Sequence, residues 1–110
     1  MIVGSTVFKL DGTSYYSPEF RRGGLAASFV VDATHMEGNP TVTFTIEHRN
    51  ADETTFATTG SSFQLAAAGV GTVDVTGLKE IIRIAVSFDG ADDATDAIHF
   101  VIQAPTWRPY

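Results

Sequence analysis

The sequence predicts an all-β protein: an antiparallel β-sandwich, jelly-roll or Greek-key like, of about eight strands in a single domain. Three observations carry this. First, Val42, Phe44 and Ile46 alternate with Thr43, Thr45 and Glu47, a period of two that puts apolar and polar side chains on opposite faces of a strand. Second, two later runs repeat the alternation: Ile82, Ile84, Val86 and Phe88, then Ile98, Phe100 and Ile102. Third, turn-forming residues recur at short intervals and no stretch keeps a helical period. β-branched and aromatic residues fill the runs, as suits a pleated, half-buried surface.

Taken in order, residues 1–10 hold Val3, Val7, Phe8 and Leu10 and read as a first strand, ended by the hairpin-type pair Asp11-Gly12. A short aromatic piece with Tyr15 and Tyr16 is ended by Pro18. Arg21-Arg22-Gly23-Gly24 forms a flexible corner before a strand over residues 25–33, with Ala27, Phe29 and Val31 on one face. Gly38, Asn39 and Pro40 mark residues 34–40 as a loop. The strand over 41–48 follows, then a polar connection and a short strand over 54–58. Residues 63–67 fit either a strand or one helical turn. Residues 69–75 give a loop and a short strand, 78–88 a long strand, 89–96 an acidic loop and 97–103 the last strand. Pro105 and Pro109 lack a donor, so 104–110 is expected to run as an extended tail outside the ladders.

The totals narrow the function. A chain of 110 residues is one domain's worth and buries roughly 65% of its unfolded surface. It has no cysteine, hence no disulfide framework and no thiolate chemistry. The residues from Met1 on show neither a basic flank nor a long apolar stretch, so neither a secretory signal nor a membrane helix is expected. A net charge of −6 and a pI near 4.7 disfavour nucleic acid and anionic lipid as partners.

Motifs for chemistry are scarce. The loop 89–96, with Asp89, Asp92, Asp93 and Asp96, has carboxylates for calcium, but their spacing fits neither an EF-hand nor a glycine-rich repeat. A solvated turn accounts for it, and no required metal or cofactor is expected. His35, His48 and His99 lack the close pairing of zinc ligands; His48 and His99 are assigned to outward positions, as exposed strand histidines. No serine stands in a Gly-x-Ser-x-Gly elbow, and no carboxylate pair is placed for glycoside hydrolysis. An enzyme is not expected.

Two segments remain. Tyr15, Tyr16, Phe20, Arg21 and Arg22 have the make-up of an interface corner, or of a surface corner whose aromatics fold inward. Trp107, Arg108 and Tyr110 suit a strap on a neighbouring subunit, or Trp107 caps its own sandwich.

Tyr16-Ser17-Pro18-Glu19-Phe20-Arg21-Arg22-Gly23-Gly24 precedes an apolar strand, Glu47-His48-Arg49-Asn50 leads into an acidic connection, Leu78-Lys79-Glu80-Ile81-Ile82-Arg83 opens the long strand, and Pro105-Thr106-Trp107-Arg108-Pro109-Tyr110 closes the chain. Along nearly its whole length it resembles the small β-sandwich structural proteins of tailed bacteriophages and phage-like particles. The resemblance implies a non-enzymatic virion protein of the capsid decoration or cement type. Such a protein is made in the bacterial host cytoplasm and held on the capsid surface, often as a homotrimer, by the major capsid protein. A connector or tail protein is the nearest alternative. From a different class, a carbohydrate-binding sandwich would use Tyr15, Tyr16 and Trp107 as a stacking platform.

Overall fold

The computed structural model describes residues 3–8, 15–37, 41–89 and 97–109, with residues 3–8, 37 and 89 described by their backbone course. Ten extended runs form two sheets. They are β1 (Val3–Phe8), β2 (Tyr15–Tyr16), β3 (Phe20–Arg21), β4 (Ala26–Glu37), β5 (Thr41–Arg49), β6 (Ala57–Leu65), β7 (Gly69–Val75), β8 (Ile81–Asp89), β9 (Ala97–Ile102) and β10 (Thr106–Arg108). The first sheet runs β1-β9-β4-β7, with β10 also on β4; the second runs β2-β8-β5-β6, with β3 also on β8. Every pairing is antiparallel.

Two of the rows are interrupted strands. Tyr16 lies opposite Ala85 and Phe20 opposite Ile82, so four steps along one chain face three along the other. Likewise Ile102 lies opposite Val31 and Thr106 opposite Ser28. Each extra residue accommodates a proline, Pro18 in one row and Pro105 in the other, at a break where no ladder donor is required. The residue that opens each break still bonds to the neighbouring strand: Ser17 N donates to Ile84 O at 2.9 Å, and Gln103 N to Val30 O at 3.0 Å. Ser17 is the buried polar residue among the described ones. Its Oγ accepts from Ile84 N at 2.8 Å, replacing the ladder carbonyl that Pro18 displaces.

Joining each broken row leaves eight strands in two four-row sheets. Numbered along the chain, their orders are 1-8-3-6 and 2-7-4-5, which is the double Greek key of a jelly roll. Only β5 and β6 are consecutive neighbours in one sheet; every other connection between rows crosses from sheet to sheet.

The core lies between the sheets. Phe29, Val31, Val42, Phe44, Ile46, Ile82, Ile84, Val86, Ile98, Phe100 and Ile102 are fully buried, and Phe88 packs against them. This is the inward set that the alternation predicts. Val75 and Leu78 complete it at one end.

Several expectations change. β4 continues to Glu37 where a loop over 34–40 is expected. An extra residue at Thr34 shifts its register against β9, which hides the strand from a simple period of two. β6 is one strand through Gly60, Ser61 and Ser62, because a bulge opposite Ile46, with Gly60 at φ 84°, breaks its alternation. Residues 69–75 are strand throughout. The tail expected outside the ladders pairs over Thr106–Arg108 with β4. Asp11-Gly12 lies outside the described residues; the described strands on either side of it in sequence, β1 and β2, belong to different sheets.

Candidate functional site: a tied end and an arginine between two rings

The segments 22–25, 50–56 and 76–80 meet at one end of the sandwich, where hydrogen bonds tie them together. Arg22 N donates to Glu80 O at 3.0 Å, and Leu78 N to Leu25 O at 2.9 Å. The Arg22 guanidinium also donates to the Leu78 carbonyl. Ala51 N donates to Glu80 Oε1 at 3.0 Å. Glu53 Oε1 accepts from Asn50 N at 2.7 Å and from Lys79 Nζ at 3.3 Å. The Asn50 amide beside the carboxylate, followed by Lys79, holds the Glu53 pKa below its ordinary 4.5.

His48 belongs to this end. It lies opposite Ile82 and shares the inward parity of Val42, Phe44 and Ile46, so its assignment to an outward position is corrected. Its Nδ1 accepts from Lys79 N at 3.2 Å. Burial, with Lys79 adding to it and Glu53 opposing it, holds the His48 pKa below 6.5. A neutral imidazole here acts as a backbone acceptor that fixes the turn before β8.

On the outer face of the second sheet, Arg83 lies between two rings. Its guanidinium carbon is 3.9 Å from the Tyr16 ring centroid and 4.1 Å from that of Phe56. Its Nε donates to Glu47 Oε1 at 2.7 Å. Arg49, 5.3 Å from the Phe56 centroid on the same face, pairs with Glu19 at 3.4 Å. Lone arginines in strands give no sign of such an arrangement; the register that sets Glu47 opposite Arg83 creates it.

The expected interface residues do not form one patch. Tyr16 and Arg21 are exposed, Tyr16 by 45%. Tyr15 turns edge-on to Phe100 at 6.3 Å. Phe20, Phe29 and Trp107 pack together with centroids 6.2–6.5 Å apart. Trp107 therefore sits against its own core, the second of the two readings open for it. Arg22 and Arg108 are partly buried and engaged, Arg22 with Leu78 O and Arg108 with Ser28 Oγ at 2.9 Å. Tyr110 and the loop 90–96 lie outside the described residues.

Charge is unevenly spread. Arg21, Arg22, Arg49, Lys79, Arg83 and Arg108 belong to strand ends and connections of the tied half, against six carboxylates there: Glu19, Glu47, Asp52, Glu53, Asp74 and Glu80. The rest of the sequence has Lys9 and seven carboxylates, so the net charge of −6 comes from residues other than these twelve. Among the described residues, no group of three or more His, Cys, Asp or Glu side chains is placed to hold a metal, and no helix is long and apolar enough to cross a membrane.

No known protein family, curated protein or solved structure compared with this chain matches it.

Proposed function

We propose that this is a non-enzymatic virion structural protein, an auxiliary capsid protein that binds an assembled tailed-phage head and stabilises it. The sequence resemblance motivates this reading. The observation that carries it furthest is the jelly-roll strand order with its aromatics committed to the core. Jelly rolls serve both as capsid modules and as lectins, and fold alone does not choose between them. Aromatic placement does favour one. A sugar platform needs Tyr15, Tyr16 and Trp107 side by side with open faces. Instead Tyr15 and Trp107 are packed edge-on against core phenylalanines, which leaves Tyr16 alone exposed among the three, with Arg83 on one face of its ring. The hydrogen bonds at the tied end suit a rigid plug that adds stability to a shell by binding only its assembled form.

The test is binding to heads assembled from the major capsid protein encoded alongside it. Purified protein, a homotrimer in this reading, should saturate such heads at three-fold or quasi-three-fold positions and raise their disassembly temperature. A single ring of copies at one vertex would reassign it to the connector. Saturable glycan binding without head binding would replace the proposal with the lectin reading.

A further inference from the structure

We propose that β10 exchanges between copies of this chain: it leaves its own sandwich and takes the same seat on a second copy. The seat is built from residues 20–29. Thr106, Trp107 and Arg108 lie opposite Ser28, Ala27 and Ala26. The indole packs edge-on to Phe20 at 6.4 Å and to Phe29 at 6.2 Å, with Gly23 beneath it. Arg108 Nη1 donates to Ser28 Oγ at 2.9 Å. None of these partners belongs to β9, the strand that delivers the segment.

Three features make β10 separable. Its ladder is short, Thr106–Arg108, and among the described strands it pairs with β4 alone. The row is interrupted between Ile102 and Thr106, where Pro105 supplies no donor, so β10 can lift without opening the β9 ladder. The bond from Gln103 N to Val30 O at 3.0 Å stays with β9, which puts the hinge at the exposed Ala104. A lifted β10 uncovers Phe20 and Phe29 and strips Trp107 of its own cover, and apolar surface so bared is driven to be buried again. The surface that fits β10 is the seat itself, and a second copy carries an identical one. Exchange remakes every seat contact that it breaks, so only the hinge and the meeting of two copies separate the two forms. High protein concentration favours the exchanged form by mass action. The exchange is a property of the free protein and does not rest on the capsid reading.

The chain has no cysteine, so introduced thiols report the exchange. Ser28→Cys and Thr106→Cys are made in separate full-length proteins. The two positions are directly opposed. Opposed residues of an antiparallel pair have Cα atoms about 4.5 or 5.5 Å apart, inside the disulfide range of about 4.4–6.8 Å. The two proteins are mixed at millimolar concentration, held just below the melting temperature, cooled and then oxidised. Each carries a single thiol, so a bond between positions 28 and 106 joins two copies. Expected is this mixed disulfide as the dominant covalent product, and its loss when the mixture is held and oxidised at micromolar concentration. The double variant, oxidised as a dilute monomer, pins its own β10. It should lose the concentration-dependent association of the parent in sedimentation and regain it on reduction. No mixed disulfide at millimolar concentration, a statistical mixture of the three possible pairings, or a pinned monomer that associates as the reduced one does would each overturn the proposal. Should Ser28→Cys fail to fold, Ala26→Cys with Arg108→Cys, opposed in the same ladder, repeats the test with the same criteria.

Discussion

Gly23 lies beneath the indole of Trp107: a β-carbon at position 23 would sit 2.8 Å from the ring. The ring has little room to retreat, since Phe20 and Phe29 hold it edge-on from within. At the next position, a β-carbon on Gly24 would sit 2.3 Å from the Arg108 carbonyl oxygen. The Gly23-Gly24 pair is therefore the seat of β10 rather than a flexible corner. Gly23→Ala should cost about 1–3 kcal/mol through overpacking. Trp107→Ala should cost about 3 kcal/mol, the low end for a large aromatic because this one sits at the rim of the core. Denaturant melts of the free protein check both; unchanged midpoints would mean that Trp107 serves something other than this core.

Phe44 joins the two sheets within the core. It stacks on Phe63 at 5.2 Å and meets Phe100 edge-on at 5.4 Å. Phe63 in turn covers Gly71, where a β-carbon would fall 2.3 Å from its ring. Phe44→Ala should cost about 3–5 kcal/mol. Gly71→Ala should cost about 1–3 kcal/mol by pushing Phe63 away. Because both act through one ring, the double variant should cost less than the sum. Strict additivity in chemical denaturation would show that the two positions do not share it.

Arg83 depends on its planar guanidinium, not only on its charge. Its side chain is 23% exposed and that of Glu47 20%, so water screens the pair in part and the ion pair alone is worth little. Stacking between Tyr16 and Phe56 supplies the remainder. Arg83→Lys keeps the charge and loses the flat fork; it should lower stability by about 1 kcal/mol. Tyr16→Ala in the Arg83→Lys background should then cost less than in the parent. An Arg83→Lys protein as stable as the parent would reduce this cluster to a surface coincidence.

The core was readable from alternation alone, because burial of one face leaves a period of two wherever a strand is regular. Phe29 and Val31, and the runs from Val42, Ile82 and Ile98, all follow it. Features that depend on irregularity were not readable. One inserted residue at Thr34 reverses parity and so conceals the end of β4 and the opposition of His35 and His99. Pro105 suggested a tail outside the sheet because a proline bars one donor, but a proline in a break leaves the flanking ladder intact. The direction of Trp107 was equally hidden, because composition does not distinguish an interface anchor from a core lid. His48 is a different case: it was assigned the outward parity of its strand beside Glu47, whereas it shares the inward parity of Ile46.

The tied end should make the protein sensitive to acid, and the sign follows from two groups. His48 has a folded pKa held below its ordinary 6.5, first by burial and then by Lys79. The unfolded chain therefore binds that proton more readily than the folded one, and protonation favours unfolding. The stabilising contribution is whole above about pH 6.5 and is lost as pH falls toward the folded pKa. Protonating Nδ1 also removes the acceptor that Lys79 N uses. Glu53 acts in the same direction lower down. Its pKa is held below 4.5 by the Asn50 amide and Lys79, so its contribution is present above that value and disappears as the carboxylate protonates. Melting temperature should fall in two stages on acidification. The first begins near pH 6.5 and the second below pH 4.5. His48→Asn keeps a side-chain acceptor without a titrating ring and should flatten the first stage. Glu53→Gln should flatten the second alone. A first stage unchanged in His48→Asn would remove His48 from the acid response.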